Sequence, residues 1–163
     1  MSLSLKKFVG CERGTQTIEF ALLLPFLILL FASAVEMGRM FYTYTTLQKA
    51  TEVGARYLST KQLSNGSYTG VMCGSISCIT AATNLVVCGK ESSCSGETPV
   101  VPNLSSTNVT ITSPGTGVGA RYLTVNVSYG YQPLAFNLGN LTGVSQLSLN
   151  YTFTPSIKMR YML

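Results

Sequence analysis

Glu19 is the residue whose type and position most demand a chemical reason. It stands at the mouth of an apolar run, Phe20 to Val35, that approaches membrane length. A carboxylate at that depth is costly in lipid, and the chemistry open to it is pairing with a cation in low dielectric. Gly14 lies five residues earlier, closing a short basic leader that carries Lys6, Lys7 and Arg13. The second reactive set is four thiols, Cys73, Cys78, Cys88 and Cys94, clustered within 22 residues. Acid–base chemistry is poorly supplied, because the chain has no histidine and no aspartate. Neither a Ser-His-Asp triad nor a Cys-His pair can be built, and no histidine can hold a metal. No catalytic residue is assigned. The chain is read as a non-enzyme, with no cofactor expected.

The elements that position these residues follow from composition. At 163 residues there is room for one modest domain plus an anchor. Charged residues make up only 10% of the chain, against roughly 25% in ordinary soluble domains. Outside the apolar run, the sequence is rich in Ser, Thr, Asn, Gly and Tyr, a mix common on extracellular β-rich surfaces. The net charge of +5 does not indicate nucleic acid. Three of the 11 basic residues are in the leader and the other eight are scattered singly, with no stripe to track phosphates.

Phe20 to Val35 spans 16 residues, slightly short of the roughly 20 that cross a bilayer core. The helix can continue through Tyr42, and Glu36 and Arg39, three apart, can partly neutralise each other. Pro25 falls inside the span and is tolerated there as a kink. The positive-inside tendency places Lys6, Lys7 and Arg13 in the cytoplasm and sends the C-terminal part across the membrane. A cleaved secretory signal is the competing reading, but its apolar region is usually about 7 to 15 residues long.

These features occur in an order that resembles a known family. Gly14, four spacer residues, Glu19 and an apolar helix resemble type IV prepilins. Arg13-Gly14, Ile18-Glu19-Phe20-Ala21-Leu22 with Pro25, Glu36-Met37-Gly38-Arg39, Ala50 and Gly54-Ala55-Arg56-Tyr57 together resemble the TadE-like pseudopilins. Those are minor subunits of the tight adherence (Tad, Flp-type) pilus. The resemblance covers roughly residues 13 to 58. It implies cleavage between Gly14 and Thr15 by a membrane-embedded prepilin peptidase. It also implies that Glu19 meets the new amine of a neighbouring subunit. The implied partners are that peptidase, other pilins or pseudopilins, and the membrane. A glycine suits a tight peptidase subsite because it has no side chain. The alternative for Glu19 is an interfacial carboxylate favoured by the helix dipole.

From Glu36 to Lys61 no proline interrupts a helical pattern. Met40, Leu47 and Gly54 are seven apart, Tyr44, Thr51 and Leu58 repeat the spacing, and Ala50 and Tyr57 widen the stripe. That stripe is expected to pack on the chain's own sheet, with Glu52 and Arg56 paired outside. Asn65-Gly66-Ser67 breaks the helix. Ile76 to Val87 reads as a short helix. Alternation predicts strands at Val109 to Thr112, Leu123 to Tyr129 and Leu147 to Phe153. The apolar stretch Pro133 to Leu141 reads either as a partner-binding lip or as a loop tucked under the sheet.

Cys11 would leave with the leader, so the mature chain keeps four cysteines, which read as two disulfides. Cys78 and Cys88 lie at opposite ends of the short helix, about 15 Å apart, too far to bridge. The nested pairing is thereby excluded. The local pairs, Cys73 with Cys78 and Cys88 with Cys94, are favoured over the crossed alternative. Zinc on four thiolates lacks C-x-x-C spacing, and no metal is expected. The Asn-x-Ser/Thr triplets carry no weight at this composition.

The expected architecture is α+β: a long N-terminal helix packed on a small antiparallel sheet, as in pilins. Residues 1–14 are the leader, 15–42 the transmembrane segment, 43–64 the stalk helix and 65–163 the exported domain. The function expected is a minor pilin or pseudopilin of a Tad-type pilus. It would sit in the inner membrane with its N-terminus cytoplasmic. A stand-alone anchored adhesin is the alternative, though it would need neither Gly14 nor Glu19.

Overall fold

A computed structural model of the chain describes residues 12–61, 71–113, 122–133 and 150–160; the side chains of 12, 13 and 15 are outside that description. Two units emerge, 1–38 and 39–163. Helix α1, Glu12–Ser59, runs through both. In the first unit its apolar residues Leu22, Phe26, Leu30 and Phe31 are all exposed. Pro25 sits inside the helix without ending it.

The second unit is α+β. A two-stranded hairpin, β1 (Met72–Cys73) and β2 (Ile76–Ser77), leads into α2, Cys78–Cys88. Ser77 caps α2, its hydroxyl accepting from the Thr80 N–H at 3.2 Å. Gly89 closes it in the left-handed region, φ 74°, donating to the Leu85 carbonyl. Then come β3 (Val109–Thr112), β4 (Tyr122–Val127), β5 (Tyr129–Tyr131), β6 (Tyr151–Phe153) and β7 (Ser156–Arg160). The order β3-β4-β7 makes an antiparallel three-stranded sheet, and β5 pairs antiparallel with β6.

Alternation puts one face of the larger sheet inside. Val109 and Ile111 face Val127 and Val125, and on the other side Val125 and Leu123 are opposite Ile157 and Met159. The cover is the C-terminal half of α1. Leu47, Ala50, Ala55 and Leu58 are buried in one cluster with Ala82 and Val86 of α2 and with Leu123, Val125, Val127, Tyr129, Tyr131 and Phe153. Burying each such Leu or Val is worth about 1.5–3 kcal/mol. The stripe therefore packs on its own domain, although Tyr44 lies at its rim, 38% exposed.

Several boundaries differ from the sequence expectation. Helix α1 ends at Ser59, before Lys61. There the Ser59 and Thr60 hydroxyls donate to the carbonyls of Arg56 and Tyr57, in competition with the helical ladder. The expected strand through Tyr129 is interrupted at Ser128. Its N–H donates to the Asn108 carbonyl and its own carbonyl accepts from Asn108 Nδ2, both at 2.8 Å. The short helix starts at Cys78, not Ile76. Strands β1, β2 and β7 were not expected. The Asn65-Gly66-Ser67 break, residues 147–149 of the last expected strand and most of the stretch from Pro133 to Leu141 lie outside the described residues.

Candidate functional site

Gly14, Thr15 and Glu19 all belong to α1. Gly14 and Glu19 are exposed. The Gly14–Thr15 peptide bond lies within α1, near the start of its described part. Glu19 is four residues beyond Thr15, one turn along the same helix face and about 6 Å further by rise. No hydrogen bond or ion pair ties the Glu19 side chain to another described residue. A helix long and apolar enough to cross a membrane runs on from this point, and its most apolar 18-residue window has 0% of its residues buried.

In the second unit, α1 is tied to the strands by Arg39. Its Nη2 donates to the Gln132 carbonyl at 3.2 Å, and its guanidinium lies 5.4 Å from the Tyr131 ring centroid. Tyr44 meets Phe153 edge-on at 5.5 Å. Tyr129 is buried and its hydroxyl donates to the Pro102 carbonyl at 2.8 Å. Burial pushes its phenol pKa up, with the Arg39 charge opposing. On the outer side of α1, Arg56 reaches Glu52 Oε1 at 2.6 Å, the i,i+4 pair expected from spacing.

The four cysteines form two bridges, Cys73–Cys78 and Cys88–Cys94, with Cα separations of 4.9 and 5.9 Å. They bracket α2, one at each end. With these sulfurs bonded to each other, none of the four is left as a thiolate to hold zinc. Among the described residues there is also no group of three or more His, Cys, Asp or Glu side chains placed to bind a metal.

An open cleft of about 380 Å³ lies beside the Cys88–Cys94 bridge, lined in part by Ser93, Ser95, Ser105 and Ser106. Ser93 and Ser95 share a hydroxyl hydrogen bond, and the Ser105 hydroxyl is engaged by Thr107 and Asn108. The chain has no histidine to activate them. The arrangement therefore offers anchoring, charge pairing and disulfide bracing. The polar face of the β3-β4-β7 sheet is not among the features expected from the sequence. Its signal was present in Ser156-Ile157-Lys158-Met159-Arg160, which alternates polar and apolar like a strand.

No curated protein and no solved structure matches the chain. Over residues 14–56, which take in Gly14, Glu19, the apolar run and the packed half of α1 as far as Arg56, the sequence matches the family model of TadE-like proteins.

Proposed function

We propose that the chain is a minor pilin or pseudopilin that assists assembly of a Tad-type pilus. A prepilin peptidase cuts it between Gly14 and Thr15. The apolar part of α1 holds it in the inner membrane, N-terminus in the cytoplasm and α+β domain outside. The reading rests most on one coincidence: the TadE-like match begins at Gly14 and runs through a membrane-length helix that its own fold leaves uncovered. An apolar helix with no intramolecular cover needs lipid or other helices around it. Glu19 then supplies specificity. After cleavage the Thr15 amine is a cation at the membrane boundary, and a neighbour's Glu19 is the counter-charge that low dielectric favours.

Two variants test this in cells that assemble the pilus. Gly14→Asp is expected to leave full-length precursor in the membrane, with no chain starting at Thr15. Glu19→Gln keeps size and helix propensity. It is expected to insert, be cleaved and fold, yet fail to crosslink to partner pilins and lose surface piliation. A carboxylate that merely favours its own helix start would cost only about 0.3–1 kcal/mol and leave assembly nearly normal. Normal Thr15 ends in the first variant, or wild-type crosslinking and piliation in the second, would overturn the proposal. Wild-type chains that never crosslink to a pilin would favour the stand-alone adhesin.

A further inference from the structure

The β3-β4-β7 sheet buries one face, and its other face is polar, with Thr110, Lys158 and Arg160 exposed and Thr124 and Asn126 half-buried. Register sets Thr110 beside Asn126, Thr124 beside Lys158, and Tyr122 beside Arg160. Tyr122 is 50% exposed, and Lys158 Nζ lies 5.0 Å from its ring centroid. Lys158 and Arg160 are exposed on the same strand, about 6.8 Å apart along it at about 3.4 Å per residue. All six carboxylates of the chain lie at or before Glu97, so nothing beyond that point carries a negative side chain. The face combines two cations, a half-exposed aromatic ring and a row of neutral hydroxyl and amide groups.

We propose that this face binds an anionic polysaccharide. Such a polymer presents three kinds of group, and the sheet has a counterpart for each. Carboxylates or sulfates meet Lys158 and Arg160. The apolar face of a sugar ring lies on Tyr122. Sugar hydroxyls exchange hydrogen bonds with Thr110, Thr124 and Asn126, which both donate and accept. Nucleic acid fits less well, because affinity there grows with the number of phosphates neutralised and this face offers few cations. A lysine on an edge strand also guards against strand pairing. That role, however, calls for neither Tyr122 nor Arg160. The inference does not depend on the chain's role in a pilus.

The test uses the full chain in non-ionic detergent at low salt, with immobilised alginate and heparin as polyanionic glycans. Dextran serves as the neutral control and duplex DNA as the competing polyanion. The wild-type chain is expected to bind alginate or heparin and not dextran. Lys158→Gln with Arg160→Gln should weaken that binding about tenfold or more, and Tyr122→Ser should also weaken it. Lys49→Gln, on the exposed side of α1, should not change it. Circular dichroism melts confirm that each variant is folded. No binding to either glycan, equal affinity in the double variant, or dextran binding as tight as alginate would overturn the proposal. So would duplex DNA binding more tightly through the same residues, which would make this a nucleic-acid face.

Discussion

A Cβ added to Gly54 would lie 2.5 Å from Val86 Cγ2 and 3.4 Å from the Ala82 carbonyl oxygen. Helices α1 and α2 therefore meet closely at this point, and Val86 is fully buried, with little room to move. Alanine would normally gain up to about 1 kcal/mol over glycine in a helix. Overpacking of about 1–3 kcal/mol opposes that gain here. Gly54→Ala should therefore lower the melting temperature, and Gly54→Val should lower it further. Adding Val86→Ala to Gly54→Ala should return part of the loss, a coupling that a double-mutant cycle measures. Purely additive effects of Gly54→Ala and Val86→Ala would refute the contact. The sequence placed Gly54 on the packed stripe but not its reason, because the facing valine comes much later in the chain. Gly14 is the contrary case. A Cβ there meets nothing within 4 Å. No contact among the described residues calls for glycine at Gly14, and the proposed peptidase recognition would supply a reason for it.

Elements with strict periodicity were the legible ones. Val109 to Thr112 is a strand as the alternation indicated, and Leu47, Ala50, Thr51 and Leu58 form the buried stripe of α1. Strand ends were less legible. Tyr129 keeps the alternation of β4, but hydrogen bonds from Asn108, a distant residue, take both backbone groups of Ser128 and start a separate strand. The short helix was nearly readable, and its length matters to the bridges. With Cys78 and Cys88 at its two ends, each cysteine finds a partner just beyond its own end. Each bridge closes a short loop, so its entropic contribution sits near the low end, about 2 kcal/mol. Replacing Cys88 and Cys94 together by alanine should lower stability by about that amount while α2 persists, since its buried face is unchanged. Thermal melts and far-ultraviolet circular dichroism read both effects. An unaltered melting temperature would show that the bridge adds nothing.

At the scale of the whole molecule, the leader and the bridges must agree on a compartment. Disulfides persist in oxidising compartments and not in a reducing cytoplasm. On the proposed reading the bridged domain is exported, and the orientation signal would lie at the other end of the chain, in Lys6, Lys7 and Arg13. The domain that follows the apolar run is longer than the roughly 60 residues over which loop charge strongly counts, so its own cations weigh less. Changing Lys6, Lys7 and Arg13 to glutamine should remove the bias and leave a substantial fraction of chains with the domain in the cytoplasm. Those chains should carry free thiols. Denaturing, non-reducing maleimide labelling separates the populations, and Cys11 supplies an internal reference. A wild-type precursor should label only at Cys11, and the cleaved chain at no cysteine. The glutamine variant should yield a second population labelled at Cys73, Cys78, Cys88 and Cys94 as well. Four reactive thiols in wild-type membranes would contradict export of the bridged domain. Fully bridged cysteines in the glutamine variant would show that something other than the leader charge sets the orientation.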